Sequence, residues 1–262
     1  MSDPQDWPRP SEAPEEVEED HEAEEEARVC LTGFERKLEL GRLVTEPPAW
    51  AAERPDIAAR LVSAPGRVRL ALTGGIASGK STVAEMLMKF GAGHIDFDLL
   101  ARQAVEPGTA GFEEAAALFG PDYVTSAGTL DRPKIGRAVF SDPELKKKLE
   151  DIIHPRTWEL MGAELEAMSD LATVAVSVPL LFEAGLESFF SPIVLVFADV
   201  ETQIERLLAR NPALDREGAE NILASQWPAP PKVMGSSCVV NNSGPLEETA
   251  RQVAGLWKAL TG

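Results

Sequence analysis

One stretch decides the fold of this chain: residues 70–82, which read Leu-Ala-Leu-Thr-Gly-Gly-Ile-Ala-Ser-Gly-Lys-Ser-Thr. Its apolar first part breaks into glycines and then continues with residues that favour a helix. Gly74, Gly79, Lys80 and Ser81 fill the pattern G-x-x-x-x-G-K-S/T. In that pattern backbone N–H groups surround phosphates, the lysine reaches the β and γ oxygens, and the hydroxyl binds magnesium. The stretch therefore predicts a phosphate-binding loop.

The segments on either side of the loop support this prediction. Residues 68–73 predict a short buried strand, and residues 81–88 predict a helix whose positive N-terminal end would face the anion. A glycine-rich turn with a chance lysine is the alternative, and the order strand, loop, helix argues against it. The residues expected to bind the nucleotide, with Ser81 also binding magnesium, are Gly75, Ile76, Ala77, Ser78, Gly79, Lys80, Ser81 and Thr82.

Strands and helices alternate along the rest of the chain. This alternation is typical of a parallel sheet with helices on both faces, which is an α/β fold. Ser141 and Glu144 form a capping box that predicts the start of a long helix, and His154-Pro155 predicts its end. The strands predicted after the first are residues 93–98, 173–178, 193–197 and 239–240.

The composition excludes several classes of protein. The chain has 262 residues, 44% of them hydrophobic, which suffices for a large core, and its net charge of −18 argues against nucleic-acid binding. No run approaches the roughly 20 apolar residues that span a bilayer, and the N-terminus lacks the pattern of a secretory signal. Cys30 and Cys238 have no metal-like spacing. We therefore expect a cytoplasmic protein without a membrane partner.

The negative charge is concentrated at the N-terminus. Residues 1–27 contain twelve acidic residues against Arg9, together with four prolines, and this composition predicts a disordered acidic tail. The tail is either an arm for an unidentified partner or a solvated segment without one. Residues 28–66 form a separate extension of unknown role, and the main domain spans residues 67–262.

Two carboxylates follow the second predicted strand. Asp96 and Asp98 lie two residues apart, so in extended backbone their side chains share one face. The carboxyl ends of parallel strands form the ligand-binding edge of such a sheet. Asp98 is therefore the candidate that takes a proton from an acceptor hydroxyl and helps to organise magnesium, with Asp96 in support. The alternative is that both residues merely end a strand at a turn.

Four basic side chains are candidates for binding phosphate or moving protons. Arg206 and Arg210 lie four residues apart on one helix face, where they could clamp nucleotide phosphates as a lid closes or simply face solvent. Arg102 could reach a phosphate of the acceptor, or it is an ordinary surface arginine. His154 is either a structural histidine or a proton shuttle.

The chain resembles the dephospho-CoA kinase family over about residues 68–260. The resemblance implies a nucleoside-monophosphate-kinase-like P-loop fold with a five-stranded parallel sheet, a helical acceptor-binding part at about 105–168 and a lid at about 206–235. It also implies transfer of phosphate from ATP, with Mg²⁺, to the ribose 3′-hydroxyl of dephospho-CoA. Beyond the loop, the matching blocks are Ile95-Asp96-Phe97-Asp98, Ala101-Arg102, Leu130-Asp131-Arg132, Val139-Phe140-Ser141-Asp142, His154-Pro155, Val178-Pro179-Leu180-Leu181-Phe182-Glu183 and Asn242-Ser243-Gly244.

The resemblance assigns roles residue by residue. It implies that Lys80, Asp98 and Arg206 are catalytic, and that Asn242 joins Arg206 and Arg210 in binding the nucleotide. The acceptor-binding residues that it implies are Asp96, Asp98, Arg102, His154, Pro179, Leu180 and Leu181.

The chain departs from the family pattern in three places. One is Asn241, which replaces a common aspartate before Asn242. Residues 227–231, Trp-Pro-Ala-Pro-Pro, stand where the family is usually polar, and only Lys232 keeps a basic character there. Ala77 replaces a common glycine, which the loop pattern itself predicts to be a minor change. The lid departure keeps a second hypothesis open, a catalytically weakened nucleotide-binding regulatory protein. A third is another small-molecule P-loop kinase.

Overall fold

The computed structural model describes residues 67–261. The predicted acidic tail and the extension at residues 28–66 lie outside the described residues. The strands are β1 (Val68–Thr73), β2 (Gly93–Asp96), β3 (Thr173–Ser177), β4 (Ile193–Phe197) and β5 (Cys238–Asn241). The α-helices are α1 (Lys80–Lys89), α2 (Phe97–Gln103), α3 (Ala110–Phe119), α4 (Arg132–Ser141), α5 (Pro143–Ala167), α6 (Val200–Arg210), α7 (Arg216–Ala224), α8 (Ala229–Gly235) and α9 (Leu246–Thr261). Within this part of the chain, no helix is long and apolar enough to cross a membrane.

The strands form a single parallel sheet in the order β2-β3-β1-β4-β5. β1 lies in the middle, where Leu70 pairs with Ala175 of β3 and Leu72 with Val194 of β4. Because parallel strands need a crossover between them, helices follow β1, β2 and β4, and the helices that pack on the sheet are α1, α8 and α9. The predicted α/β fold with a five-stranded parallel sheet is confirmed.

The central strands are apolar because both of their faces are covered. Every residue of β3 is buried, and β4 is buried except at Phe197. On one side of the sheet, α1 and α9 contribute Val83, Leu87, Val253 and Leu256 to a core cluster shared with the strands. Cys238 begins β5 within this cluster, and burial raises the pKa of its thiol to about 12. The thiol is therefore neutral at physiological pH.

The chain divides into two compact units. One contains the sheet with residues 67–94 and 170–261, and the other is Ile95–Ser169. The second unit is helical and has its own core around Val105, Ala115, Leu130 and Ile135. In the same unit Phe97 meets Trp158 edge to face, with ring centroids 5.2 Å apart.

The second strand is shorter than the sequence predicts. β2 ends at Asp96, and α2 begins at Phe97. Asp96 is the N-cap of α2, because its side chain accepts a hydrogen bond from the N–H of Leu99 at 3.1 Å. Asp98 therefore lies in the first turn of a helix. The prediction that Asp96 and Asp98 share one face of a strand is wrong.

Pro155 does not end the helix that contains it. α5 continues through it to Ala167. Pro155 has no N–H for the carbonyl of Asp151, and the two residues after it add side-chain hydrogen bonds to the neighbouring carbonyls: Arg156 Nη1 donates to Ile152 at 2.6 Å, and Thr157 Oγ1 donates to Ile153 at 2.9 Å. Packing also holds this half of α5, since Thr157 and Trp158 are buried. The predicted end at His154-Pro155 is wrong for these reasons.

The start of α5 is also capped differently from the prediction. Ser141 is the last residue of α4, and its hydroxyl donates to the carbonyl of Arg137 at 2.9 Å. Asp142 is the N-cap of α5, and its carboxylate accepts from the N–H of Leu145 at 3.0 Å. A carboxylate next to a helix N-terminus also gains from the helix dipole. The capping-box assignment to Ser141 is therefore wrong by one residue.

We predict that Asp142→Ala lowers the free energy of unfolding by about 1 kcal/mol, the usual worth of an N-cap. Ser141→Ala is the matched control, because its exposed hydroxyl caps no helix start, and we expect a change within about 0.5 kcal/mol. Urea unfolding followed by far-UV circular dichroism measures both. An equal or larger loss in Ser141→Ala would contradict the observed cap.

Candidate active site

The phosphate loop joins β1 to α1 and holds its residues in unusual backbone conformations. Gly79 has a φ of 92° and precedes α1 directly. Ala77 has a φ of 55°, a left-handed conformation that costs a residue with a Cβ roughly 1–2 kcal/mol. An alanine at position 77 in place of the common glycine therefore strains the loop backbone. The prediction that this replacement is a minor change is wrong. Its methyl group gains some compensation by packing with Ile204 and Leu207 of α6.

Asn242 holds the loop from the end of β5. Its amide Nδ2 donates to the carbonyl of Ser78 at 2.8 Å, and its Oδ1 accepts from the hydroxyl of Thr249 at 2.9 Å. Asn242 is 3% exposed. A Cβ on Gly79 would overlap this same amide nitrogen, so the approach of Asn242 requires glycine there. The predicted nucleotide-binding residue is thus a buried brace of the loop.

Arg206 braces the same loop from α6. Its Nη1 lies 3.3 Å from the carbonyl oxygen of Ala77 and 3.4 Å from that of Ser78, and its Nη2 donates to the carbonyl of Asn242 at 2.8 Å. Arg210, four residues further along, is exposed. The structure therefore joins Arg206 to Asn242 and the loop, and the clamping of nucleotide phosphates by Arg206 and Arg210 stays a prediction.

Lys80 and the start of α1 provide the positive end of the loop. Lys80 Nζ donates to the carbonyls of Gly74 at 2.6 Å and Gly75 at 3.1 Å, which holds the ammonium against the loop. Among the described residues, no side chain caps α1 and no acidic residue lies in its first turn. Ser81 is exposed in that turn. A helix start of this kind attracts anions.

A polyphosphate fits this loop. The uncapped helix start and the Lys80 ammonium supply N–H groups and charge for an anion. The Ser78 hydroxyl is buried and has no hydrogen-bond partner within residues 67–261. Gly74 is buried beside Val196, where a Cβ would overlap the carbonyl oxygen of that residue. These features suit a backbone that closes around phosphate oxygens.

Gln226 is a contact that sequence reasoning missed. Its Oε1 accepts a hydrogen bond from the N–H of Ile76 at 2.9 Å, so one loop amide is bound by a side chain that follows α7. A single glutamine 150 positions away carries no motif signal. Thr249, which orients Asn242, was missed for the same reason.

Asp199 fixes the start of α6, the helix that carries Arg206. Its carboxylate accepts from the N–H of Thr202 at 2.8 Å and from the Thr202 hydroxyl at 3.0 Å, and its own N–H donates to the Ser243 hydroxyl. Burial raises the pKa of Asp199, but the hydrogen bonds from Thr202 and Ser243 together outweigh it and lower the pKa below its ordinary value. This stabilisation is present above the ordinary pKa and is lost as the pH falls through the lowered one.

The acceptor residues predicted after β3 differ in their exposure. Pro179 accepts from the Thr73 hydroxyl through its carbonyl, at 3.4 Å. Leu180 is 46% exposed, whereas Leu181 is completely buried. The side chain of Leu181 therefore belongs to the core, and Leu180 is the residue of this group that can present an apolar surface to a ligand.

The remaining predicted acceptor residues belong to the helical unit. Asp98 is exposed in the first turn of α2, and Arg102 is exposed in its last turn. The carbonyl of Arg102 accepts from Arg132, which also pairs with Glu106 at 3.4 Å. His154 lies half-buried in the middle of α5. Asp96 caps α2 and so fixes the turn that carries Asp98.

A five-stranded parallel sheet with this loop between its central strand and α1 defines a P-loop nucleotide-binding protein. The model of the dephospho-CoA kinase family matches residues 68–248. The chain belongs to the dephospho-CoA kinase family, which confirms the resemblance seen in the sequence.

Individual relatives agree with the family assignment. The dephospho-CoA kinase of Geobacillus kaustophilus is 42% identical over 196 residues, which are 73% of this chain and 97% of that relative. The dephospho-CoA kinase of Geobacter metallireducens is 47% identical over 191 residues, covering 72% and 94%. The crystal structure of TT1252 from Thermus thermophilus superposes with a TM-score of 0.67 at 37% identity, covering 75% of this chain and 99% of that one. The match therefore spans nearly the whole length of these proteins.

We predict that Gly79→Ala abolishes tight nucleotide binding, because the added Cβ would displace Asn242 from the loop. Gly91→Ala is the matched control: Gly91 also has a positive φ, but a Cβ there meets open space. Both variants should lose roughly 1–2 kcal/mol of stability to backbone strain. Calorimetric titration with ATP separates them, and normal ATP affinity in Gly79→Ala would contradict the brace.

Proposed function

We propose that this chain transfers the terminal phosphoryl group of ATP to the ribose 3′-hydroxyl of dephospho-CoA, giving coenzyme A and ADP, in the cytoplasm. The observation that carries the proposal is the match to the dephospho-CoA kinase family over residues 68–248. The preformed loop supports it, because phosphoryl transfer depends on positioning and charge neutralisation more than on covalent chemistry.

The sheet-containing unit supplies the nucleotide-binding groups. The family is a kinase family, and its use of ATP fits the loop, where Lys80 would neutralise charge on the β and γ phosphates. Arg206 and Asn242 keep the loop in shape, so in our proposal they act on ATP through the loop backbone. Magnesium, when bound with ATP, neutralises phosphate charge, and the exposed Ser81 hydroxyl is the group of this unit that we propose to hold it.

The helical unit supplies the acceptor side. We propose Asp98 as the group that takes the proton of the ribose hydroxyl, because it is an exposed carboxylate that the cap of α2 fixes in place. Arg102 would bind a phosphate of the acceptor, and His154 would contact it elsewhere. Residues 95–169 then form the acceptor-binding part, and α6 and α7 form the lid.

An ADP-release assay on the purified full chain tests the activity. We expect turnover with dephospho-CoA to exceed turnover with adenosine, AMP or gluconate at least about a hundredfold, since a site built for polar groups rejects analogues that lack them. Equal turnover with another acceptor would identify a different small-molecule kinase. ATP and dephospho-CoA binding without any turnover would identify a regulatory protein.

We predict that Asp98→Asn lowers kcat by roughly 10²-fold or more, the usual worth of a general base, because the amide keeps the shape but cannot take the proton. ATP affinity should change much less, since Lys80 and the uncapped start of α1 supply the charge and the N–H groups for the phosphates. Asp122→Asn, another exposed carboxylate of the helical unit, is the control and should turn over normally. Unchanged kcat in Asp98→Asn would show that Asp98 is not the base.

A further inference from the structure

Glu183 and Lys232 form a buried ion pair in the sheet-containing unit. Lys232 Nζ lies 2.6 Å from Glu183 Oε1, and the two side chains are 4% and 9% exposed. Glu183 lies in the turn after β3, and Lys232 lies on α8. The family resemblance placed Lys232 in the lid as its remaining basic residue. Because Lys232 is buried against Glu183, it neutralises the charge of that carboxylate.

The Glu183 carboxylate holds two points of one segment. Its Oε1 also accepts a hydrogen bond from the backbone N–H of Trp227 at 3.1 Å. Its Oε2 is buried and has no hydrogen-bond partner within residues 67–261. Within the described residues, the contacts that offset the burial of this charge are therefore both made by Oε1. They are the ion pair with Lys232 and the hydrogen bond from Trp227.

The segment that Glu183 holds leads directly to the phosphate loop. Gln226, the residue before Trp227, accepts the N–H of Ile76 at 2.9 Å. On its other side the segment is fixed to the sheet, because Val233 of α8 is buried against Leu195 of β4 and Val239 of β5. A chain of contacts thus runs from Glu183 through residues 227 and 226 to a loop amide.

We propose that Glu183 is a positioning residue for ATP binding, which acts through Trp227 and Gln226 to place the phosphate loop at Ile76. The proposal rests on the proposed function, because ATP is the ligand assigned to that loop. It also places the end of the moving lid before Gln226, so residues 226–235 belong to the fixed framework. The three prolines at 228, 230 and 231 then stiffen an anchored segment and do not slow the lid.

Neutralising the pair tests this role without leaving a lone buried charge. Glu183→Met with Lys232→Met removes both charges and also the oxygen that accepts from the Trp227 N–H, and buried pairs often tolerate replacement by apolar side chains without loss of stability. We expect the melting temperature to stay close to that of the parent, whereas the Kd for ATP rises about threefold to tenfold, the worth of one hydrogen bond. The KM for dephospho-CoA should not change. Glu150→Gln with Lys146→Met, which removes an exposed pair on α5, is the control and should leave ATP binding unchanged.

Gln226→Ala completes the test as a double-mutant cycle. Alone it should raise the Kd for ATP by the same factor, and in the neutralised background it should add nothing, because the two changes break one chain of contacts. Normal ATP affinity in either variant, or effects that simply add, would overturn the proposal. If the neutralised variant does not fold, Gln226→Ala alone decides. A parent chain that binds no ATP would instead overturn the proposed function itself.

Discussion

The structure depends on one close approach, that of the Asn242 amide to the carbonyl of Ser78. This contact joins the end of β5 to the phosphate loop across 164 positions of sequence, and it is buried. Gly79 is required there because a Cβ would occupy the place of the amide nitrogen. Thr249 orients Asn242, and Arg206 binds its carbonyl, so α6, α9 and β5 all meet at this point. A loop held in this way is shaped by the framework before any anion arrives, which reduces the cost of ordering it on binding.

The side chains around the loop have two different roles. Lys80 and the start of α1 present charge and N–H groups, whereas Arg206, Asn242 and Gln226 use their polar atoms on the loop backbone itself. A cation such as Arg206, whose donors are hydrogen-bonded to carbonyl oxygens, still adds positive potential near a bound phosphate. Its principal effect in this structure is to fix the backbone at residues 77 and 78.

Much of the fold could be predicted from the sequence because its signals are local. The loop pattern, the apolar strands β1, β3 and β4, and the alternation of elements each lie within short stretches, and they predicted the parallel sheet correctly. The errors lie where a local signal competes with another. Asp96 ends a strand by capping a helix, and Pro155 lies inside α5 because the buried Thr157 and Trp158 hold the helix beyond it.

The motif of the site could be predicted from the sequence, but the side chains that hold the loop from other parts of the chain could not. Gly74, Gly79, Lys80 and Ser81 carry a fixed spacing, which a sequence shows directly. Gln226 and Thr249 reach the loop or Asn242 through hydrogen bonds that only the folded chain creates. Leu181 matched a family block and yet is completely buried, since a block can be shared for packing as well as for binding. Residue type and spacing therefore predicted the chemistry, and the structure adds which of the predicted side chains are buried and which are exposed.

Hydrogen exchange of the loop amides in Asn242→Ala, compared with the parent, tests the central claim most directly. If the buried amide shapes the loop, the amides of residues 75–80 should exchange at least about tenfold faster in the variant, while those of β1 and β4 keep their protection. Asn241→Ala is the control, since the Asn241 side chain accepts from the N–H of Ser243, and it should leave the loop amides unchanged. Equal loop exchange in Asn242→Ala and the parent, or an increase spread evenly over the whole sheet, would contradict the account.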